Sequence, residues 1–196
     1  MAEATAHVKI PLDRVGVLIG PGGRVRRLIE ESFQISIDVD SETGDVEIRL
    51  RPDQQDPSTI FKAKNVITAV GRGFAPDKAM RLADDNTIFE VIDLRDYLGR
   101  SKSDVERIEG RIIGKRGKTR ATIEELTGAD ISVYGYTVSI IGEPVQFNVA
   151  REAVLMLIEG SEHKTVYRFL YVKRREIKKE EMRLWKEPLP TGIERE

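Results

Sequence analysis

The sequence predicts an α+β protein made of two copies of one β-α-α-β-β-α module, each a three-stranded antiparallel sheet packed on three helices. The first observation is an internal repeat, because the segment 18–26 aligns without a gap on the segment 112–120. The second is that the same order of apolar periodicities surrounds both segments, with helical spacing on either side of a glycine loop and alternation beyond it. The third is the length of 196 residues, which accommodates two modules that each bury a core.

The first module begins with a strand at His7–Ile10, where apolar and polar residues alternate. A helix then ends at Gly20, and a second helix follows the glycine loop. Period-two alternation returns in two strands joined by a turn cluster at 41–45, and Asp56 and Pro57 start the last helix. The expected apolar face of the second helix consists of Val25, Leu28, Ile29 and Phe33.

The second module repeats this order with changes. Its opening strand contains Phe89 and Val91, with Leu94 as a candidate third member. About ten additional residues before the loop predict an insertion around 97–102. The Ser-x-x-Glu pattern from Ser103 to Glu106 is typical of a capping box and places the start of the next helix there.

Four segments follow from this pattern. The short connection between the modules favours two packed domains over two separate ones. The expected boundaries are a first domain at 5–74, a short helical linker at 75–86, a second domain at 87–160, and a basic helical extension with a tail at 161–196.

Each copy contains a Gly-x-x-Gly loop between its first two helices, Gly20–Gly23 and Gly114–Gly117. Glycine at both ends lets the backbone turn sharply and approach a phosphate with no Cβ in the way. The next helix presents free N–H groups and the positive end of its dipole to that anion. One such loop is weak evidence, but two at matched positions indicate binding of a nucleic-acid backbone.

The two loops differ in charge, so we expect the second to bind phosphate more strongly. Lys115 and Arg116 lie inside the second loop, whereas Pro21 gives the first loop no N–H and Gly22 gives it no charge. The predicted contacts of the second copy are Arg111, Gly114, Lys115, Arg116, Gly117, Lys118, Thr119 and Arg120. Those of the first copy are Gly20, Pro21, Gly22, Gly23, Arg24, Arg26 and Arg27.

This layout resembles the KH module, in which unpaired bases enter an apolar groove between these helices and the second strand. The candidate lining is Ile19, Ile29 and Ile37 in the first copy and Ile113, Ile123 and Ile131 in the second. For Ile29 and Ile123 a place in the core is the stronger expectation. The predicted base contacts are therefore Ile19, Ile113 and Ile131.

The formal net charge of −1 conceals a segregation of charge. Residues 111–120 carry five basic side chains and no acid, and residues 163–179 carry seven basic side chains beside Glu176. The latter stretch adds Lys164 and Arg168 to the predicted RNA contacts, with a solvated charged face as the alternative for either stretch alone. Residues 40–56, by contrast, carry six acids.

Other function classes lack their motifs. The chain has no cysteine and its two histidines are far apart, so neither a metal nor another cofactor is expected. Gly117-Lys118-Thr119 resembles the end of a P-loop but lacks the upstream glycine, and Gly71–Pro76 ends in proline where the dinucleotide fingerprint needs glycine or alanine. No nucleophilic triad is present, so no catalytic residue is predicted.

Composition also favours a cytoplasmic protein. No apolar run approaches the ~20 residues of a membrane span, and the first residues lack the charged and apolar regions of a signal peptide. Few Asn and Gln, with many charged residues, fit a thermophilic source.

The layout of two apolar residues, Gly-x-x-Gly and a basic helix start resembles the type I KH module, which clamps four nucleotides of single-stranded backbone. Over roughly 6–172 the chain resembles the tandem KH ribosome-assembly proteins, the archaeal relatives of the eukaryotic partner of NOB one and of the small-subunit processome KH protein with a Lys-Arg-Arg name. The matching segments are Gly71–Pro76, Gly110–Arg120, the hairpin from Ser132 to Gly142, and Gly160 to Arg168. Arginine at positions 26 and 120, where many KH modules are apolar, is also like this family.

The resemblance implies a single-stranded RNA-binding protein that acts in small-subunit assembly and pre-rRNA processing near the 3′ end of 16S-type rRNA. It also implies a rRNA endonuclease or other ribosome-assembly or translation factors as partners. The first module is open to either RNA or protein, since eukaryotic relatives have commonly lost its Gly-x-x-Gly. The alternative is a general RNA-binding or translation-associated KH protein with no role in ribosome maturation.

Overall fold

The computed structural model describes residues 5–52, 56–99 and 101–186. The first module has the predicted α+β order. Its sheet is antiparallel, with β3 between β1 and β2. Its elements are β1 (Thr5–Lys9), α1 (Leu12–Ile19), α2 (Arg24–Phe33), β2 (Ile35–Val39), β3 (Asp45–Leu50) and α3 (Ser58–Gly71).

A short linker leads to the second module through α4 (Pro76–Ala79) and one turn of 3-10 helix. The second sheet repeats the first, with β6 between β4 and β5. An additional helix, α5 (Leu94–Leu98), occurs in the second module, but it begins before the insertion predicted around 97–102. The elements are β4 (Ile88–Asp93), α5 (Leu94–Leu98), α6 (Lys102–Ile113), α7 (Lys118–Thr127), β5 (Asp130–Tyr134), β6 (Thr137–Gly142) and α8 (Pro144–Ile158), followed by α9 (His163–Lys186). Residues 187–196 of the predicted tail, and Asp53 of the acidic stretch, lie outside the described residues.

Two predictions about the start of the second module are wrong in detail. Leu94 opens α5 instead of extending β4, because the Asp93 side chain accepts a hydrogen bond from the Arg95 N–H at 2.9 Å and caps that helix. The N-cap of α6 is Ser101, whose hydroxyl accepts from the Asp104 N–H at 3.4 Å, so Ser103 already lies inside the helix. The Ser-x-x-Glu pattern was therefore misplaced by two residues.

The predicted core face of α2 is also wrong at one position. Ile29 and Phe33 are buried, but Leu28 is 49% exposed. Consecutive residues lie about 100° apart around a helix, so Leu28 points away from the face that carries Ile29. Ile29 and the equivalent residue of the second copy, Ile123, are both fully buried, so this position belongs to the core in both modules.

The two modules pack against each other, as the short connection predicts. Ile141 on β6 is fully buried in the apolar cluster of the first module, and Phe89, its partner on β4, packs against the same cluster. The preceding residue, Ile140, belongs to the second core. Successive residues of a strand point to opposite faces, so β6 contributes to both cores.

Polar contacts hold the same interface. The Tyr134 hydroxyl donates to the Asp13 carboxylate at 2.6 and 2.7 Å, and the Ser132 hydroxyl donates to the Arg72 carbonyl at 2.8 Å. Tyr134 and Ser132 lie on β5, an edge strand, whereas Asp13 and Arg72 belong to the first module. The first module and the linker therefore cover part of the edge of the second sheet.

Candidate nucleic-acid interface

The two Gly-x-x-Gly loops have nearly the same backbone. Each begins with a glycine of positive φ, 70° at Gly20 and 72° at Gly114, whose N–H ends the preceding helix. Each ends with a glycine in the left-handed region, 76° at Gly23 and 75° at Gly117. The N–H of the last glycine donates to the carbonyl of the first at 3.1 Å in both loops. The sequence repeat is thus a structural repeat.

The first and last glycines of the loops are needed for different reasons. A Cβ on Gly20 would lie 2.5 Å from the Val25 side chain, and one on Gly114 would lie 2.1 Å from the Thr119 hydroxyl. A Cβ on Gly117 would meet nothing within 4 Å. The first glycine therefore permits close packing on the next helix, whereas the last leaves open space at the start of that helix, where an anion can approach.

Three cations of the second loop are available for a ligand. Lys115, Arg116 and Lys118 are exposed and form no ion pair with any residue that the structure describes. Arg120 is engaged, since its Nε lies 3.7 Å from the Glu124 carboxylate. Arg111 is engaged at one end, because its Nη2 donates to the Ser161 carbonyl at 2.6 Å. The two predicted contacts that flank the loop thus have structural partners.

The first loop has fewer cations at its tip. Pro21 and Gly22 are exposed and carry no charge, and Arg26 pairs with Glu30 at 3.5 Å. Arg24 is exposed, and the Arg27 guanidinium lies 3.5 Å from the place that a Gly23 Cβ would occupy. Among the described residues, the cations nearest this loop lie on the helix after it. The ranking of the two loops as phosphate sites stays a prediction.

A cleft of about 390 Å³, here called the loop cleft, opens beside the second loop. Thr119 lies in its wall: it is 3% exposed, and its hydroxyl is 3.0 Å from the Tyr167 hydroxyl on α9. His163 Nε2 lies 2.9 Å from the Arg111 carbonyl and holds the start of α9 against α6. The lining comprises Arg107, Gly110, Arg111, Gly114, Lys115, Lys118, Thr119, His163 and Tyr167.

Sequence reasoning missed His163 and Tyr167. The available signal was the pair of aromatic rings four residues apart at the start of a basic helix, which places both on one helix face. Lys164 and Arg168, which were predicted, lie exposed on α9 and line a second cavity that shares Tyr167 with the loop cleft. The structure thereby brings these two cations to the same side as the second loop.

The predicted base groove of the second module is narrow. Ile131 is 3% exposed and Ile113 is partly buried. The cavity at Ile131 measures about 190 Å³, below the roughly 300–1,000 Å³ of pockets that bury small ligands. Residues of the first module and linker form one wall of it, a contribution that sequence reasoning did not foresee. The lining is Gly73, Phe74, Ala75, Lys78, Arg120, Glu124, Ile131 and Ser132.

In both modules a glutamate side chain on the helix after the loop accepts a hydrogen bond from the backbone of the edge strand. The Ile37 N–H donates to the Glu30 carboxylate at 2.9 Å, and the Ile131 N–H donates to the Glu124 carboxylate at 2.9 Å. Both glutamates are contacted by the arginine four residues earlier. This contact explains the arginines at positions 26 and 120, which hold a carboxylate that satisfies an otherwise unpaired strand N–H.

The linker adds charge beside this groove. Lys78 Nζ lies 2.7 Å from the Asp130 carboxylate and 3.5 Å from that of Glu124. Hydrogen bonding to Asp130 raises the pKa of Lys78 above its ordinary value. Burial raises the pKa of Tyr134 and its hydrogen bond to Asp13 raises it further. Both shifts belong to residues that join the linker or the first module to β5.

Two negative findings accompany this surface. Within residues 5–52, 56–99 and 101–186, no cluster of His, Cys, Asp or Glu side chains is arranged to hold a metal ion. Across the same ranges no helix has the length and apolar character that a membrane span requires.

Comparison with known protein families identifies both modules. Residues 5–69 match the KH domain, and residues 88–175 match the eukaryotic type KH domain, KH-domain type I. The second match includes the first half of α9, whereas our sequence-based boundary at residue 160 separates that helix from the module.

Relatives match over nearly the whole chain. A KH domain-containing protein of Methanocaldococcus jannaschii is 45% identical over 91% of this chain and 78% of its own length. The pre-rRNA-processing protein PNO1 of Candida glabrata is 29% identical over 84% of this chain and 67% of its own length. The aDim2p chain in the crystal structure of an a/eIF2alpha–aDim2p–rRNA complex from Pyrococcus horikoshii OT3 is 42% identical, with a TM-score of 0.83, over 89% of this chain and 96% of that one. The chain belongs to the PNO1/Dim2 family of tandem KH proteins. Membership in this family confirms the resemblance seen in the sequence.

Proposed function

We propose that the protein is a non-enzymatic single-stranded RNA-binding factor that acts in assembly of the small ribosomal subunit, near the 3′ end of 16S-type rRNA. The observation that carries the proposal is the second loop, where Lys115, Arg116 and Lys118 are exposed at the start of α7 and form no ion pair within the described residues. A family that includes a pre-rRNA-processing protein and a chain crystallised with rRNA supports the choice of RNA.

In this function the second loop binds the RNA backbone. Lys115 and Arg116 neutralise phosphate charge, and the positive end of the α7 dipole adds to the attraction for phosphate. The open space at Gly117 lets the sugar-phosphate chain come close to that helix end. These contacts are independent of sequence, so base preference must come from the groove at Ile131 and Ile113.

The first module binds more weakly or docks a protein. Its loop tip lacks cations, and within the described residues the hairpin of β2 and β3 carries Asp38, Asp40, Glu42, Asp45 and Glu47. An acidic surface repels RNA and suits a basic partner. The solved aDim2p complex contains a/eIF2alpha as well as rRNA, which favours a translation or assembly factor as that partner. The rRNA endonuclease implied by the family resemblance is the other candidate. A cytoplasmic location accompanies this role.

The second candidate function is a translation-associated RNA-binding protein with no part in ribosome maturation. The presence of a/eIF2alpha in the solved complex favours it specifically. The two functions differ in the particle to which the protein binds. Gradient sedimentation of cell extract separates them, since an assembly factor accompanies immature small subunits and a translation factor accompanies mature ones.

The test of RNA binding is a reversal of charge in the second loop. Lys115→Asp places a like charge near phosphate at about 4 Å, so affinity for single-stranded rRNA should fall at least tenfold. The matched control is Lys64→Asp, the same change at an exposed position on α3. Fluorescence anisotropy with a labelled 3′-end RNA measures both. Equal affinity of Lys115→Asp and wild-type protein would refute the proposed function.

A further inference from the structure

The outer face of α9 carries a patch, here called the α9 face, that the second loop does not account for. It surrounds a shallow cavity of about 540 Å³. Tyr171 is 56% exposed and Val172 is 38% exposed, so apolar surface remains in contact with water. The face consists of Lys164, Tyr167, Arg168, Tyr171, Val172 and Arg175.

The spacing of these residues makes them one continuous stripe. They recur at intervals of one, three or four residues, which is the pattern of neighbours along one side of a helix. Val166 and Leu170 lie on the opposite side and are fully buried in the second core. The α9 face therefore points outward from a helix that the core fixes in place.

The charge on the α9 face is entirely positive. Lys164, Arg168 and Arg175 are exposed, and none forms an ion pair with another described residue. The nearest acid in sequence, Glu176, pairs instead with Lys173 at 3.0 Å and does not line the cavity. Unpaired cations of this kind attract a polyanion.

Two tyrosines lie between these cations. Aromatic rings accept the π-face of any unpaired base, and arginine adds a cation–π contribution to such a stack. Tyr171 is the accessible platform, since Tyr167 is partly buried and its hydroxyl is next to that of Thr119. Alternating cations and aromatic rings are typical of surfaces that bind single strands with little sequence preference.

The α9 face is continuous with the second loop. Tyr167 lines both the loop cleft and the cavity on the α9 face. From Lys164 to Arg175 the helix extends about 16 Å, and a stacked strand advances about 3.4 Å per nucleotide, which leaves room for about five nucleotides.

We propose that the α9 face is a second RNA subsite, which binds the single strand that leaves the second loop, with Tyr171 stacking on a base and Arg168 and Arg175 contacting phosphates. The inference rests on the proposed function, because it requires RNA in the second loop. The lack of acidic and large aliphatic side chains favours RNA over a protein as the occupant.

Two labelled fragments of the 3′ end of 16S-type rRNA test the subsite on the full-length protein. The short one has about five nucleotides, near the four that a KH module clamps, and the long one extends it by about five on each side. Tyr171→Ala should weaken binding of the long fragment about five- to 150-fold, the usual effect of losing one stack, and leave binding of the short one unchanged. The matched control is Tyr97→Ala on α5, where the tyrosine is 50% exposed and lies off this face. It should change neither.

A charge variant gives an independent readout. Arg168→Ala with Arg175→Ala removes two phosphate contacts, so the slope of log affinity against log salt should decrease by about 1.4 for the long fragment only. Circular dichroism checks that α9 remains helical in each variant.

The outcomes separate this inference from the proposed function. Suppose that Lys115→Asp lowers the affinity for both fragments, while Tyr171→Ala lowers the affinity for neither or lowers both equally. The subsite is then wrong and the proposed function stands. A protein partner on the α9 face would give that result. If Lys115→Asp weakens neither fragment, the proposed function fails, and the subsite fails with it.

Discussion

Gly22 and Arg116 occupy the same position in the two Gly-x-x-Gly loops and share a left-handed backbone, with φ of 59° and 55°. Glycine adopts this conformation freely, whereas it costs other residues about 1–2 kcal/mol. Among the described non-glycine residues only Gln34 also has a positive φ. Strain of this kind is concentrated at ligand-binding sites, so its presence at Arg116 supports a role for that cation in binding.

Exchanging these two residues should move stability and affinity in opposite directions. Arg116→Gly relieves the strain but adds freedom to the unfolded chain, for a net gain of about 0.5–1 kcal/mol in the free energy of unfolding. The same variant should bind RNA more weakly. Gly22→Arg is the reciprocal control and should lower stability while it strengthens binding through the first loop. Denaturant unfolding and anisotropy measure the two effects, and an Arg116→Gly protein less stable than wild type would contradict the strain argument.

The last glycine of each loop offers a matched comparison of the modules. Gly23→Asp and Gly117→Asp place the same side chain at φ of 76° and 75°, in space where no backbone atom lies within 4 Å. Both should lose similar, small amounts of stability, because Asp tolerates this conformation better than most residues. If the second loop is the principal clamp, Gly117→Asp should lose at least tenfold in RNA affinity and Gly23→Asp distinctly less. The reverse order would make the first module the main RNA site.

Alkaline pH should loosen the contact between the modules. The folded-state pKa of Tyr134 is raised above 10.0 and that of Lys78 above 10.5. A group whose pKa is raised by folding contributes stability that is complete below its unfolded pKa and is lost as pH rises through the folded value. We therefore expect the melting temperature to fall as the pH rises above about 10, where tyrosine ionises. Tyr134→Phe should reduce this decrease in melting temperature. Tyr136→Phe, a change in the turn between β5 and β6, should leave the decrease as it is in the wild-type protein.

Binding should depend strongly on salt and on strandedness. If about four to six phosphates are neutralised, log affinity should fall with log salt at a slope of about −0.7 per phosphate, or about −3 to −4 in total. A duplex of the same sequence should bind more weakly, since the narrow cavity at Ile131 excludes paired bases. Titrations of both RNAs at several salt concentrations measure this, and equal affinity for the two would exclude base contacts in the groove.

The repeat in the sequence predicted most of the fold, because local periodicity and glycine placement determine each module. The predictions that failed are those where a local sequence pattern is compatible with two secondary structures or two helix starts. Ser101 and Ser103 are both good N-caps by residue type, and the sequence pattern does not show that Ser101 is the one that accepts a hydrogen bond from the Asp104 N–H. Leu94 fits a strand by alternation but is buried at the first position of a helix that Asp93 caps.

The site was predictable where it depends on the loops and not where it depends on distant segments. Lys115 and Arg116 are identified by their place between two glycines. Tyr167 and Lys78 enter the surface only because α9 and the linker fold back on the second module. Contacts between residues about fifty positions apart, such as Thr119 with Tyr167, leave no periodic trace in one sequence.

The burial of Ile141 in the first core and of Ile140 in the second has a consequence for how the protein grips a long ligand. Because one strand joins both cores, the two loops keep a constant separation and orientation. An RNA held in the second loop would then present the flank that is not on the α9 face to the first loop at a high effective concentration, so that even a weak contact there would add appreciably to the total affinity. The same rigidity would select RNA by length, because only an RNA segment whose span matches the separation of the two loops could occupy both at once.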